Sequence, residues 1–365
     1  VSRQVKLVCL MLLAAVVALA PVAVGCGSES GDSGAASAAE RTTITVQDSA
    51  DRYVEVPYPV ERIVVLWDNP TEELKALGAI DRIVGIDDAT KAEVDAGYYP
   101  ELKDTPVVGS YEEPNYEQIA ELEPDVVICL SSYPPLPADI QKKLEPFGIP
   151  VVGLDFYRTE VYFREVTTLG KMLKLEDQTA AYIDFLKQPL DMIAERVAEI
   201  PDDERASVYF EGADVCGTYG GAGYGCGIPG MIVAAGGVDL YPEISAEYFE
   251  ADPEDIAQRD PDFIFKGQDG GYFLTDDSQF KTAQSEIVDR PELAGSTAVK
   301  KGQVYAISFD VTGGARKKFG PMFLAKALYP DVFADFDPEA VLRTYFEDYL
   351  DLTWQGVYIY PAIGG

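Results

Sequence analysis

Histidine is absent from all 365 residues of this chain. Without an imidazole there is no Ser-His-Asp or Cys-His catalysis. His-Glu-x-x-His zinc sites and histidine ligation of haem or of free metal ions are excluded too. Basic residues are scarce: 29 Lys and Arg stand against 62 Asp and Glu, a formal charge of −33. A surface of that sign repels phosphates and argues against a nucleic-acid partner. It favours solubility and fits a salt-rich habitat without specifying a fold. The acidity does not mean disorder, because 47% of the residues are hydrophobic, the fraction of an ordinary globular protein. Cysteine is sparse, at five. Cys129, inside the apolar run Val126–Leu130, reads as a small buried hydrophobe. Cys216 and Cys226 flank a glycine-rich loop. They are either a disulfide closing that loop in an exported protein or two free thiols in an anaerobe.

The long apolar run is confined to one end. Arg3 and Lys6 precede Leu7–Val24, which leads into Ala23-Val24-Gly25-Cys26. A short basic region, an apolar stretch and small residues before a cysteine make an export signal with a lipid-attachment site. This segment resembles the lipoprotein signals of bacteria and archaea, with Ala23 where leucine is commoner. The alternative is a retained membrane anchor, since the run is about long enough to span a bilayer. On the first reading residues 1–25 are the signal and Cys26 carries the lipid. Residues 26–41, rich in Gly, Ser and Ala, form a flexible tether.

More than 300 residues remain, enough for two domains. Apolar runs alternate with helical patterns from residue 42 to 157: Ile63–Leu66, Ile83–Ile86, Pro106–Val108, Val126–Leu130 and Pro150–Leu154 read as strands, after an opening hairpin. Residues 158–201 carry a long helical periodicity that Pro189 is expected to bend or interrupt. Residues 202–365 resume with a strand at Ser207–Glu211, and later strands at Phe263–Lys266 and Gln303–Ile307 precede closing helices. The expected fold is α/β, with an N-terminal lobe, a helical connector and a C-terminal lobe.

Two stretches 137 residues apart share one pattern. Glu117-x-Ile-Ala-x-x-x-Pro124-Asp125 and Glu254-x-Ile-Ala-x-x-x-Pro261-Asp262 each lead into an apolar run. Each is a helix that opens on a carboxylate, stops at proline and feeds a buried strand. Matched units in two lobes imply a cleft between them, a preferred place for ligands. With Ala234-Ala235-Gly236-Gly237-Val238, Gly302-Gln303-Val304-Tyr305 and the helical connector, the order of these units resembles the substrate-binding lipoproteins of ABC importers for ferric siderophores, haem and cobalamin. The resemblance covers nearly the whole chain after the signal. It implies two Rossmann-like lobes joined by a long helix, a small hinge motion, no cofactor, and permease and ATPase partners for a monomer held at the membrane by its anchor. It also implies that Glu117 and Glu254 dock on basic residues of the permease. Carboxylates in a first helical turn otherwise need no partner, because they complement the helix dipole.

The ligand would lie against loops at the carboxyl ends of the strands. Candidate contacts are Trp67, Tyr111, Tyr133 and Tyr157 in the first lobe, and Tyr219, Tyr224, Lys266, Tyr272 and Arg316 in the second. Aromatics offer flat apolar area with a polar tip. Arg316, beside Lys317 and Lys318, would pair with an anionic ferric chelate or a corrinoid side chain; otherwise the three are a solvated charge run. The loop Gly217–Gly227 has no Gly-Lys-Ser/Thr ending, and Pro229 spoils the formal Gly225-x-Gly227-x-x-Gly230 match to a dinucleotide fingerprint. The expected ligand is a ferric siderophore or related iron complex, then a corrinoid, then haem. Free metal ions rank lower, because no compact ligand cluster is visible. An exported glycosidase built on a carboxylate pair, or a sensor or adhesin using the same lobes, are the alternatives.

Overall fold

The runs Ile63–Leu66 and Val126–Cys129 are buried at every position. Strands with no polar face belong in the middle of a sheet covered on both sides, and these two pair in parallel as neighbours. The computed structural model describes residues 42–212, 219–223 and 226–364. In the first lobe a hairpin of β1 (Thr43–Gln47) and β2 (Tyr53–Pro57) precedes β3 (Ile63–Leu66), α1 (Asp68–Ala76), β4 (Ile83–Gly85), α2 (Asp88–Ala96), α3 (Tyr116–Glu121), β5 (Val126–Cys129), α4 (Pro137–Leu144) and β6 (Val151–Gly153). Its sheet is parallel, in the order β4-β3-β5-β6. The expected strand at Pro106–Val108 is reduced to a single bridge between Ile86 and Val107.

Helices α5 (Tyr162–Leu173) and α6 (Glu176–Ala198) follow. The expected interruption at Pro189 is not there: α6 runs through it as one helix of 23 residues. The break falls instead at Lys174, whose left-handed backbone (φ 59°) ends α5. Gly170 lets the two helices approach, since a Cβ there would lie 1.9 Å from Thr179 Oγ1.

The second lobe contains β7 (Ser207–Glu211), β8 (Gly220–Ala222), α7 (Ile228–Ala234), β9 (Val238–Asp239), β10 (Tyr248–Glu250), α8 (Pro253–Arg259), β11 (Phe263–Gln268), α9 (Ser278–Val288), α10 (Thr297–Lys301), β12 (Val304–Ser308), α11 (Phe309–Thr312), α12 (Gly320–Leu328), α13 (Pro338–Thr344) and β13 (Ile359–Tyr360). The sheet order is β10-β8-β7-β11-β12-β13, with β9 also on β7. Strands β9, β7, β11 and β12 are mutually parallel; β8, β10 and β13 close the edges antiparallel. One apolar cluster runs through both lobes, from Ile63 and Leu74 past Leu186 and Ile193 of α6 to Phe319, Phe323 and Phe346.

The repeated Pro-Asp unit does one structural job twice. The Asp125 carboxylate, at the start of β5, accepts the N–H groups of Glu61 (2.8 Å) and Arg62 (3.0 Å), just ahead of β3. The Asp262 carboxylate, at the start of β11, accepts the N–H (3.0 Å) and hydroxyl (2.8 Å) of Ser207, the first residue of β7. Each aspartate satisfies the leading backbone donors of the neighbouring strand and so sets where that strand begins. Asp125→Ala and Asp262→Ala are each expected to lower unfolding free energy by about 1–3 kcal/mol, the cost of orphaning such donors, read as a lower urea midpoint at unchanged slope.

Candidate ligand-binding cleft

The carboxyl ends of β3, β5 and β6 build one wall. Trp67 follows β3 and meets Tyr111 edge to face, with ring centroids 5.7 Å apart. The Tyr111 hydroxyl donates to the carbonyls of Tyr133 (2.9 Å) and Pro135 (3.0 Å), which pins the loop after β5. Asp155, after β6, accepts the N–H (2.7 Å) and hydroxyl (2.5 Å) of Ser131 and the hydroxyl of Ser132 (3.0 Å). Glu165 of α5 accepts the N–H groups of Asp155 (3.0 Å) and Phe156 (2.7 Å). The Ser132 and Tyr157 hydroxyls lie 2.7 Å apart. Two residues of this wall hold left-handed or glycine-like backbones, Trp67 (φ 129°, ψ 151°) and Phe156 (φ 56°). Such geometry persists only where its surroundings enforce it. At Trp67 the ring packs edge to face on Tyr111.

Helix α1 enters the seam between the lobes. Its sequence Asp-Asn-Pro-Thr-Glu-Glu-Leu-Lys-Ala is mostly polar, yet Asn69 to Ala76 are all buried. The second lobe supplies the partners from the 3₁₀ turn Gly314–Phe319. Glu72 accepts from Arg316 (2.7 Å) and from the Tyr345 hydroxyl (2.7 Å). Glu73 accepts from Lys318 (2.7 Å), Tyr162 (2.9 Å) and Tyr182 (3.0 Å). Asn69 donates to the Asp155 carbonyl and accepts the Ala315 N–H (3.0 Å). Arg316 also pairs with Asp310 (2.7 Å) and lies over the Tyr98 ring. Burial pushes the Glu72 carboxyl up, but the charges of Arg316 and Lys318 outweigh it and hold the group below its ordinary value.

Beside this seam opens a cavity of about 720 Å³. Tyr157, Arg158 and Phe163 form one side, Leu190 and Ala194 of α6 the back, and Gly227, Gly230 and Met231 at the start of α7 the other. Most of its wall is apolar, as in a small-molecule site, and Arg158, Glu160 and Lys318 are its charged lining residues.

The structure brings Trp67, Tyr111, Tyr133 and Tyr157 together at the strand ends, but only Tyr157 lines the cavity: Tyr111 is buried behind it with its hydroxyl on two carbonyls, and Tyr133 is exposed outside the lining. Arg316 is neither presented to solvent nor unpaired: it is buried and committed to Glu72 and Asp310. Tyr272 is also in the seam, stacked on Phe346 and donating to the Thr353 carbonyl (2.8 Å). Lys266 is buried, 3.3 Å from Glu211, and donates to the Gly212 carbonyl. Arg290 grips the same Glu211 and lies over the Tyr219 ring. Tyr224, Cys216 and Cys26 lie outside the described residues. Among the described residues no cluster of acidic or cysteine side chains could hold a metal ion, and no helix is long and apolar enough to cross a membrane. Sequence reasoning passed over Ser131, Ser132, Asp155 and Glu165, which shape the wall; nothing local marks them.

The periplasmic binding protein family model matches residues 63–311, which takes in both lobes, both Pro-Asp units and both sides of the cavity. The chain belongs to the periplasmic binding protein family. It is 26% identical over 337 residues to the molybdate-binding protein MolA of Haemophilus influenzae, covering 83% of this chain and 90% of that one. It is also 26% identical over 333 residues to an ABC transporter substrate-binding lipoprotein, YvrC of Bacillus subtilis, covering 88% and 98%. The TroA-like periplasmic binding protein FepB of Veillonella parvula superposes with a TM-score of 0.75 at 23% identity, over 87% of this chain and 99% of that one; at that identity the likeness speaks for the two-lobed fold.

In this periplasmic binding protein one carboxyl at the start of α1 titrates near neutrality. Burial, then the charges of Glu93, Asp87 and Glu72, push the Asp68 carboxyl up to about 7. The native state therefore keeps a proton that the unfolded chain releases above its ordinary 3.8. Stability contributed by this group falls as pH rises from about 4 to about 7 and levels off above that. Asp68→Asn should remove this slope: its urea midpoint relative to the parent is expected to be higher at pH 8 than at pH 5.

Proposed function

We propose that this chain is the substrate-binding component of an ABC importer, capturing a chelated metal compound outside the cytoplasmic membrane and handing it unaltered to a permease. The observation that carries this reading is the cavity between the loop after β6, α6 and the start of α7, within a chain of the periplasmic binding protein family. A ferric siderophore or related iron complex leads, with a corrinoid and then haem behind it. The names of the relatives add molybdate to the candidates. The rings of Tyr157 and Phe163 at the cavity offer the flat area such a guest needs. Lipid attachment at Cys26 would tether the domain, in keeping with the lipoprotein relative.

The test is tryptophan fluorescence of the domain against ferric siderophores, ferric citrate, corrinoids, haem and molybdate. Trp67 follows β3 with its ring against Tyr111, on the side of the first lobe that carries Tyr157, whereas the other tryptophan, Trp354, stacks on Tyr358. One class should give a saturable submicromolar change, and Trp67→Phe should remove most of it. Turnover of an oligosaccharide with no response to any of these compounds would favour the enzyme alternative instead.

Glu117 and Glu254 are both exposed in the first turns of α3 and α8. Their helices are capped by other side chains, Asn115 and Asp252, so neither glutamate is needed to begin its helix. We propose that they are the permease contacts. Charge reversal at both should abolish uptake in cells and leave ligand affinity unchanged; lost affinity would rule the assignment out.

A further inference from the structure

Two segments, one in each lobe, place a glycine before two aromatics: Gly97-Tyr98-Tyr99 after α2 and Gly271-Tyr272-Phe273 after β11. They meet across the seam. Gly97 ends α2 with a left-handed backbone (φ 107°), a conformation open to glycine. The Tyr98 N–H returns to the Glu93 carbonyl (3.0 Å), which fixes how the chain leaves the helix. The Tyr98 hydroxyl then donates to Asp310 of the second lobe (2.9 Å). Its ring meets Phe273 edge to face, with centroids 4.7 Å apart, and Tyr272 at 5.4 Å. The Arg316 guanidinium lies 4.4 Å from the same ring centroid.

The loop that carries Tyr272 and Phe273 is fixed to its own lobe. The Asp310 oxygen that takes the Tyr98 hydroxyl also accepts the Tyr272 N–H (2.8 Å). Ser308 Oγ donates to the Gly270 carbonyl, and the Val357 N–H to the Gly271 carbonyl (3.1 Å). Phe273 stands apart from this anchoring. It is 44% exposed, and the rings against it are Tyr98 of the facing lobe and its neighbour Tyr272. A phenyl ring left half outside its own core and set on the other lobe serves the joint between them.

The ion pairs of α1 lead from this joint to the cavity. Arg316 lies on Tyr98 and holds Glu72, while Lys318 lines the cavity and holds Glu73. At the cavity the segments 157–163 and 227–234 face each other. Among the described residues no hydrogen bond or ion pair joins these two segments. Thr159 comes close only to a glycine: a Cβ on Gly230 would lie 3.7 Å from its Oγ1. Parting the lobes at Tyr98 breaks a hydrogen bond to a carboxylate and separates ring pairs. Parting them at Thr159 and Gly230 breaks neither kind of contact.

We propose that Tyr98 and Phe273 form a one-sided clasp. The lobes stay joined where the end of α2 meets the loop after β11, and they part where Thr159 faces Gly230. A guest therefore enters and leaves on the cavity side. That route rests on the reading of the cavity as the ligand site; the clasp itself does not.

The experiment measures lobe separation in the full chain by pulsed electron paramagnetic resonance. Spin labels go on unnatural amino acids, so the native cysteines stay as they are. One pair, at Asp95 and Thr275, spans the clasp; the other, at Glu160 and Val233, spans the cavity, and all four positions are exposed. The clasp pair should give one narrow distance and the cavity pair a broader distribution. Phe273→Ala removes a half-exposed ring, and Tyr98→Phe removes the bond to Asp310 while keeping its ring. Each should add a longer population at the clasp pair, Phe273→Ala the larger one. Rings with a packing role alone predict a lower melting temperature and an unchanged clasp distance. A clasp pair as broad as the cavity pair in the parent, or a narrow clasp distance kept in both variants, overturns the clasp. Stopped-flow fluorescence with ferric citrate and a neutral ferric trihydroxamate then follows the route. Release from Phe273→Ala should be several-fold faster than from the parent, because a second exit opens; equal rates overturn the route. Binding of neither compound overturns the route together with the cavity reading, and the distances still decide the clasp.

Discussion

Glu72 and Glu73 are adjacent on a helix of the first lobe, and their partners Arg316 and Lys318 come from a single turn of the second. Almost everything else about the seam follows from these two buried ion pairs. A helix as polar as α1 belongs at a surface by composition, and it can be buried only because its carboxylates meet cations and tyrosine hydroxyls there. The pairs need not add net stability, since desolvation offsets much of their attraction; leaving either charge without its partner would cost about 3–5 kcal/mol. What they supply is register. With Asn69 bonded to Ala315 and to Asp155, the lobes meet in one alignment, and the loop after β6 and the start of α7 face the same cavity. The shared apolar cluster beneath them, carried by α6 and α12, limits how far the lobes can part. A wide opening would break buried charge pairs and split a core at once.

The wall of the cleft is organised before a ligand arrives. Glu165 holds the backbone of Asp155 and Phe156, Asp155 holds Ser131 and Ser132, and Ser132 meets Tyr157. The chain of bonds starts in α5, well behind the surface, and ends at a ring that lines the cavity. Trp67 is held in a backbone conformation that few residues other than glycine adopt, with its ring against Tyr111. Fixing these groups in advance lowers the ordering cost of binding, so the relatively few polar contacts of an apolar site can still select.

The sequence made the lobes legible through short apolar runs, because a strand buried on both faces advertises itself at every residue. Ile63–Leu66 and Ser207–Glu211 coincide with observed strands for that reason. The Pro-Asp repeat was legible as pattern, but its physical meaning was not: Asp125 acts on residues some sixty positions earlier in the chain. The site was harder. Arg316 looked like an exposed charge or a ligand contact, and its partner Glu72 is 244 residues away. No local signal joins them. Proline removes a helical hydrogen bond, so Pro189 is expected to bend or interrupt its helix; α6 runs on through it, and the boundary lies at Lys174, where α5 ends. With 22 tyrosines in the chain, composition could not say which ones line a cleft.

A chain carrying −33 charges still buries three consecutive cations, Arg316, Lys317 and Lys318, at its seam, and the two length scales of electrostatics resolve the tension. The net charge acts through solvent and is screened within about 8–10 Å at physiological ionic strength. It therefore bears on approach, slowing anionic ligands at low salt more than at high. Inside the seam the relevant charges are the nearest ones, and there Glu72 and Asp310 hold Arg316 while Glu73 holds Lys318. Low polarity strengthens these pairs far beyond what the same charges exert at the surface, so the alignment of the lobes is set by immediate partners and not by the sign of the chain as a whole.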